Sequence, residues 1–265
     1  MSEIDFPMFK IERPGGTALT EDILFEYLQP RTEISSEIID AWVGLRWNKL
    51  EQDDLRRKND AIFPSCFLTD LQREEDLWLS GKSAKEPKLL LSNIYYEALL
   101  HCRRVYIPAH VILYRPGHFI LLVVSSGIGT TTRRWHVRYL DSNLPKKNVG
   151  GMLVPLQMAS FMQGSRYCNL FFERLVKVAL ALRWSEPRIN FAVVACPQQD
   201  STYNCGLFVL GLLHLYFSNT KSWGALLNNK MDAVDERWFP GEIGVVPDEM
   251  RFIIMSDLLK ALRDD

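Results

Sequence analysis

The chain has 265 residues and 47% hydrophobic content, enough to build one large domain around a continuous core. Its 31 Lys and Arg against 32 Asp and Glu give a net charge of −1, so no overall field exists to hold a phosphate backbone or an anionic membrane surface. No apolar run reaches the roughly 18 residues of a membrane span, and the opening MSEIDFPMFK lacks the basic stretch and apolar run of an export signal; a protein without nucleic-acid or membrane partners is expected.

The first 18 residues carry Pro7, Pro14, Gly15 and Gly16 and predict an irregular arm, after which Thr20 caps a short helix to about Tyr27. A second helix fits Ser35 to Trp47, with Ile38, Ile39, Trp42, Val43 and Leu45 as its apolar face. The charged stretches 48–60 and 72–88 predict exposed connections, separated by the apolar island AIFPSCFLTDL. A helix over Ser92 to His101 leads into RVYIPAHVILYRPGHFILLVVSS, where strands are expected at Val105 to Ile107 and Phe119 to Val124. The turn-forming SGIGTTTRR then precedes the alternating strand WHVRYLD, which suggests an antiparallel pair. A helix from about Met158 or Cys168 to Trp184, a strand at Phe191 to Ala195, the loop CPQQDSTYN and the apolar helix CGLFVLGLLHLYF follow. Beyond Phe217 the pattern predicts a loop-rich stretch and a last helix from Pro247 to Arg263. This order is that of an α+β fold with a central mixed sheet flanked by helices.

The five cysteines, Cys66, Cys102, Cys168, Cys196 and Cys205, are odd in number and lack the spacing of a disulfide framework or zinc site. Free thiols in a reducing compartment are expected, cytoplasmic or nuclear, or a host cytosol for a secreted effector. Taken alone, Cys205 would be a small buried hydrophobe. What changes that expectation is a set of groups that thiol catalysis requires. Cys205 heads an apolar helix, whose unpaired N–H groups favour a charged sulfur by about 0.3–1 kcal/mol. An imidazolium partner is the stronger influence, and His118 stands at the mouth of the FILLVV strand after Pro116 and Gly117. Asp141 closes WHVRYLD, so pairing the two strands brings it to the far side of the His118 ring, where it orients the imidazole. Gln199, six positions before Cys205, is the candidate oxyanion donor. His110 is the reserve base and Gln198 the reserve donor. His101, His136 and His214 are expected to be structural.

The ordered segments GHFILLVV, VRYLDSN and PQQDSTYNCGLFVL resemble the His, Asp, Gln and Cys-Gly motifs of the SUMO-specific and related ubiquitin-like proteases. EISSEIIDAW, FPSCFL and RVYIPAH are similar to that family's upstream helix, Phe-rich segment and Ile-Pro strand. The resemblance covers about Glu33 to Phe217. It implies a papain-like cysteine protease core with circularly permuted His-Asp-Gln-Cys order, and Cys205 as nucleophile, His118 as base, Asp141 as orienting acid and Gln199 as oxyanion donor. It also implies cleavage after the C-terminal Gly-Gly of SUMO, ubiquitin or a related modifier, by a monomer that needs no metal or organic cofactor.

The chain departs from the family pattern where Phe119 replaces the tryptophan after the histidine, Glu33 the tryptophan opening the upstream helix, and Asn204 the acid before the cysteine. Phe119 and Glu33 then stand where the family lines a narrow aromatic tunnel for the glycine tail. With Asn204, and with Gly206 leaving room for a substrate backbone, they are the candidate substrate contacts. The expected domains are an arm and short helix over 1–32, a catalytic domain over 33–217, and an extension over 218–265 packed on it. Two alternatives use the same residues: a YopJ-type acetyltransferase, disfavoured because no basic cluster surrounds the catalytic strands, and a modifier-binding module without turnover.

Overall fold

The computed structural model describes residues 20–51, 54–82, 93–111, 117–126, 134–143, 146–149, 152–155, 157–181, 188–199, 203–218, 220–228 and 247–264. The arm expected over the first 18 residues, the turn between Gly127 and Arg133, and the stretch around Trp238 and Pro240 lie outside these residues.

Helix α1 (Glu21–Tyr27) starts where the Thr20 hydroxyl accepts the Ile23 N–H, and α2 (Ser36–Asn48) where Ser35 accepts the Ile38 N–H, each at 3.4 Å. Next come α3 (Leu55–Asn59), β1 (Asp60–Ile62), α4 (Phe67–Leu79) and α5 (Asn93–His101). They are followed by β2 (Arg104–Val111), β3 (His118–Ser126), β4 (Arg134–Leu140), β5 (Lys146–Val149) and β6 (Met152–Pro155). The chain continues through α6 (Gln157–Ala181), β7 (Arg188–Val193), α7 (Cys205–Ser218), α8 (Thr220–Asn228) and α9 (Pro247–Asp264).

Five strands form a mixed sheet in the order β1-β2-β3-β4-β7, with β1/β2 and β4/β7 parallel and the two central pairs antiparallel. The α+β architecture expected from the sequence is the one found. β3 is apolar on both sides because both of its faces are covered. Phe119, Leu121 and Val123 join α2, α7 and α9 in one core, while Ile120, Leu122 and Val124 join α4 and α6 in the other. α7 is buried nearly all round, from Cys205 to Leu213, so its first residue is fixed against the sheet.

Four elements depart from the expectations. Residues 72–79, expected as an exposed connection, continue α4, because Phe67, Leu68 and Leu71 form a buried stripe beneath the charged face. The charged run 48–60 ends in α3 and the first residue of β1. β2 extends to Val111 despite Pro108, because the β1 ladder stops at Tyr106 and the missing N–H falls where that edge is unpaired by β1. The loop-rich stretch after Phe217 contains α8, anchored by the fully buried Trp223, whose Nε1 donates to the Tyr106 hydroxyl at 3.2 Å.

One contact ties the two sides of the sheet's end together. The Ser65 N–H and hydroxyl donate to Asp40 on α2 at 2.8 and 3.0 Å. Burial, with Glu37 adding to it, raises the Asp40 carboxyl to about 6 against the pull of the two Ser65 hydrogen bonds. A folded-state value above the ordinary 3.8 means that this group's contribution is greatest below that value and is lost as pH climbs through about 6. The neutral variant Asp40→Asn keeps an acceptor for Ser65 and should gain on the wild type by up to about 3 kcal/mol between pH 4 and 7. Melting curves at the two pH values check this; a constant difference between the proteins would refute it.

Candidate active site

The site lies where the beginning of β3, the end of β4 and the beginning of α7 meet. Leu121 pairs with Leu140 in the β3/β4 ladder, so His118, the first residue of β3, comes beside Asp141, one residue past β4. His118 Nε2 is 2.7 Å from Asp141 Oδ1. The Cys205 thiol, 4% exposed at the head of α7, hydrogen-bonds the same ring. Two of the other three expected chemical groups, Asp141 and Cys205, therefore converge on the His118 imidazole.

Asp141 is fully buried, and such a carboxylate persists only with donors around it. Besides His118 it accepts the Tyr139 hydroxyl on Oδ2 and the Asn143 N–H on Oδ1, both at 2.7 Å. Burial works against a charge on His118, but the hydrogen bonds and charges of Asp141 and Cys205 outweigh it and push the imidazole up to about 10. The ring is thus a cation at neutral pH. It is held between the Asp141 carboxylate and the Cys205 sulfur.

Gln199 is buried on the loop before α7, its N–H donating to the Ser142 carbonyl at 2.7 Å. Its Oε1 accepts from the Ser142 hydroxyl at 2.8 Å, which leaves the NH2 end of the amide as the donor it can offer. Gln198, the reserve, has its amide on the carbonyls of Asp141 and Cys196 at 2.9 and 3.1 Å and so braces the loop that carries the carboxylate. His110, the reserve base, lies on β2 and stacks on Phe119 with ring centroids 4.5 Å apart, while Asp141 is taken by His118. The remaining histidines are engaged elsewhere: His101 with Glu97, His136 with Asn190, and His214 against Trp42.

Of the expected substrate contacts, Phe119 and Asn204 are buried and Glu33 is exposed. The Asn204 carbonyl accepts the Phe208 N–H at 3.1 Å, in the first turn of α7. Gly206 has a packing reason for being glycine, because a Cβ there would meet Ile34 at 3.1 Å and Phe119 at 3.5 Å. Sequence reasoning missed Tyr139 and Ser142. Tyr139 lies within the alternating strand WHVRYLD, where a buried tyrosine hydroxyl needs a partner, and the nearest acid in the sequence is two residues on. The other cysteines carry no such constellation; burial is the main cause that pushes Cys66 and Cys102 up to about 12.

Comparison with solved structures supports the fold. The chain superposes on a de-sumoylating protease with a TM-score of 0.62 at 15% identity, covering 95% of this chain and 92% of the other. The SUMO protease Ulp1, with its catalytic cysteine oxidized to a sulfenic acid, gives 0.51 at 16% identity, covering 95% and 89%. No curated protein sequence matches the chain. The model of the Ulp1 protease family C-terminal catalytic domain matches residues 32–244, most of the sequence, and the chain therefore belongs to the Ulp1 family of cysteine proteases.

Proposed function

We propose that the protein is an isopeptidase that releases a ubiquitin-like modifier by cutting after its C-terminal glycines, with Cys205 as nucleophile. The observation that carries this reading is the single imidazole of His118 shared by the buried Asp141 and the Cys205 thiol. The Cys205 sulfur attacks the terminal glycine carbonyl, and a carbon–sulfur bond forms as the carbonyl electrons move to oxygen. The oxyanion is met by the Cys205 N–H at the head of α7 and by the Gln199 NH2 group. The tetrahedral centre collapses, the carbon–nitrogen bond breaks, and the proton that left the thiol passes from His118 to the departing amine. Neutral His118 then takes a proton from water, whose oxygen displaces the sulfur and frees the modifier with a carboxyl terminus. Asp141 holds the ring and stabilises its charge throughout.

Glu33, Phe119, Asn204 and Gly206 border the approach to the sulfur in this reading. SUMO is the first modifier to test, because two of the solved structures of like fold are SUMO proteases. Hydrolysis of fluorogenic C-terminal derivatives of SUMO and ubiquitin is the deciding measurement. SUMO should be turned over with kcat/KM at least about 10-fold above ubiquitin, a difference of about 1.4 kcal/mol in transition-state binding. Turnover of neither, by protein whose Cys205 is reduced and alkylatable, would refute the reading.

A further inference from the structure

We infer that His110 is a positioning residue that sets the spacing between His118 and Cys205, an inference that rests on the catalytic reading of those two residues. His110 is the ladder partner of Phe119, and the two rings stack at 4.5 Å with 25° between their planes. The far end of its ring fills the space in front of Gly117, where a Cβ would clash with Nε2 and lie 2.8 Å from Cε1. His110 therefore supports both neighbours of the catalytic histidine in the chain. Through Phe119 it also bears on Gly206, the residue after Cys205.

The support is itself anchored. The His110 N–H donates to the Ser65 carbonyl at 3.3 Å, and its carbonyl accepts the Thr69 hydroxyl at 3.1 Å. Ser65 in turn is held by Asp40 on α2. The backbone of His110 is thus fixed at Ser65 and Thr69, and its ring is packed against Gly117 and Phe119, which limits its freedom to shift. The glycine at 117 and the histidine at 110 are thus two halves of one fit. Each limits what the other position accepts.

The test is a double-mutant cycle on the full chain, read two ways: kcat and KM on the cleaved tail, and the rate at which iodoacetamide alkylates Cys205, followed by mass. His110→Ala should lower kcat by about 10- to 100-fold with KM changed less than about 3-fold, as expected for a displaced reacting group. His110→Gln, whose planar amide reaches where Nε2 stands, should recover most of the loss. Gly117→Ala should also lower kcat, whereas Gly117→Ala with His110→Ala should exceed Gly117→Ala alone, because the new methyl enters the vacated space. Alkylation rates should follow the same order. Multiplicative losses in the double variant, or a change in KM alone, would overturn the inference. If no modifier tail is cleaved by the wild type, the functional reading fails, and the alkylation series still decides the role of His110.

Discussion

Replacing Cys205 by alanine should lower turnover of a modifier tail by at least about 10⁴-fold and abolish covalent capture by a tail carrying a C-terminal electrophile, while the protein stays folded. The size of the effect follows from the chemistry, since no other thiol stands by the imidazole. Cys66 and Cys102 are pushed up to about 12 mainly by burial, and Cys196 is spent donating to the Asp141 carbonyl at 3.3 Å. A small effect on stability is expected because one buried sulfur is exchanged for a methyl-sized gap, at about 1 kcal/mol. The variant also gives a second signal. With the sulfur gone, His118 loses one of the two partners that lift it to about 10, so its titration should move down while staying above the ordinary 6.5 through Asp141. NMR titration of the imidazole measures this. Adduct formation by Cys205→Ala at the wild-type rate would place the nucleophile elsewhere.

The central strands were legible because burial leaves a clear record in sequence. β3 is covered on both faces and reads as an unbroken apolar run, and β4 alternates because Trp135, Val137 and Tyr139 face one core while His136 and Arg138 face away. Their pairing alone predicted the meeting of His118 and Asp141, now 2.7 Å apart. Cys205 was legible from the His118, Asp141 and Gln199 that accompany it, since its place at the head of an apolar helix reads by itself as a buried hydrophobe. In each case local pattern and tertiary contact agree.

Other parts were hidden because contacts distant in sequence decide them. β1 is three residues long, and its buried Asp60 is sustained by the hydroxyls of Tyr106 and Tyr216, from β2 and α7. A short strand starting with an acid carries no periodic signal. β5 and β6 are four residues each, flank Gly150 and Gly151 in the sequence, and received no assignment from the sequence. α8 depends on Trp223 reaching Tyr106; α9, expected from the sequence, is seated by Asp257, which accepts the Trp42 indole N–H at 3.0 Å and pairs with Arg46 at 2.8 Å. At the site, Tyr139 and Ser142, the hydroxyl partners of Asp141 and Gln199, were beyond reach for the same reason. Hydroxyl partners are set by side-chain direction, which spacing along the chain does not encode.

Asp141→Asn should lower kcat by about 10²- to 10⁴-fold with a much smaller change in KM, and the reason lies in the number of donors the carboxylate serves. Asp141 accepts from Tyr139 on one oxygen and from Asn143 and His118 on the other. An asparagine has one oxygen and one NH2 group to meet them. If the NH2 turns to His118, it donates into Nε2 and forces the ring proton to the nitrogen facing Cys205, so the imidazole can no longer take the thiol proton. If the oxygen turns to His118, the tautomer survives but the buried negative charge that stabilises the imidazolium is lost. Either arrangement moves His118 down from about 10. The wild-type enzyme should lose activity as pH rises through about 10, where the proton for the leaving amine is lost, and the variant should lose it at lower pH. The pH profile of kcat/KM, together with the His118 titration, separates this electrostatic effect from a general loosening of the loop, which would lower the rate at every pH without moving the alkaline limb. A variant within about 3-fold of wild type and with an unmoved limb would mean that the carboxylate only holds the loop.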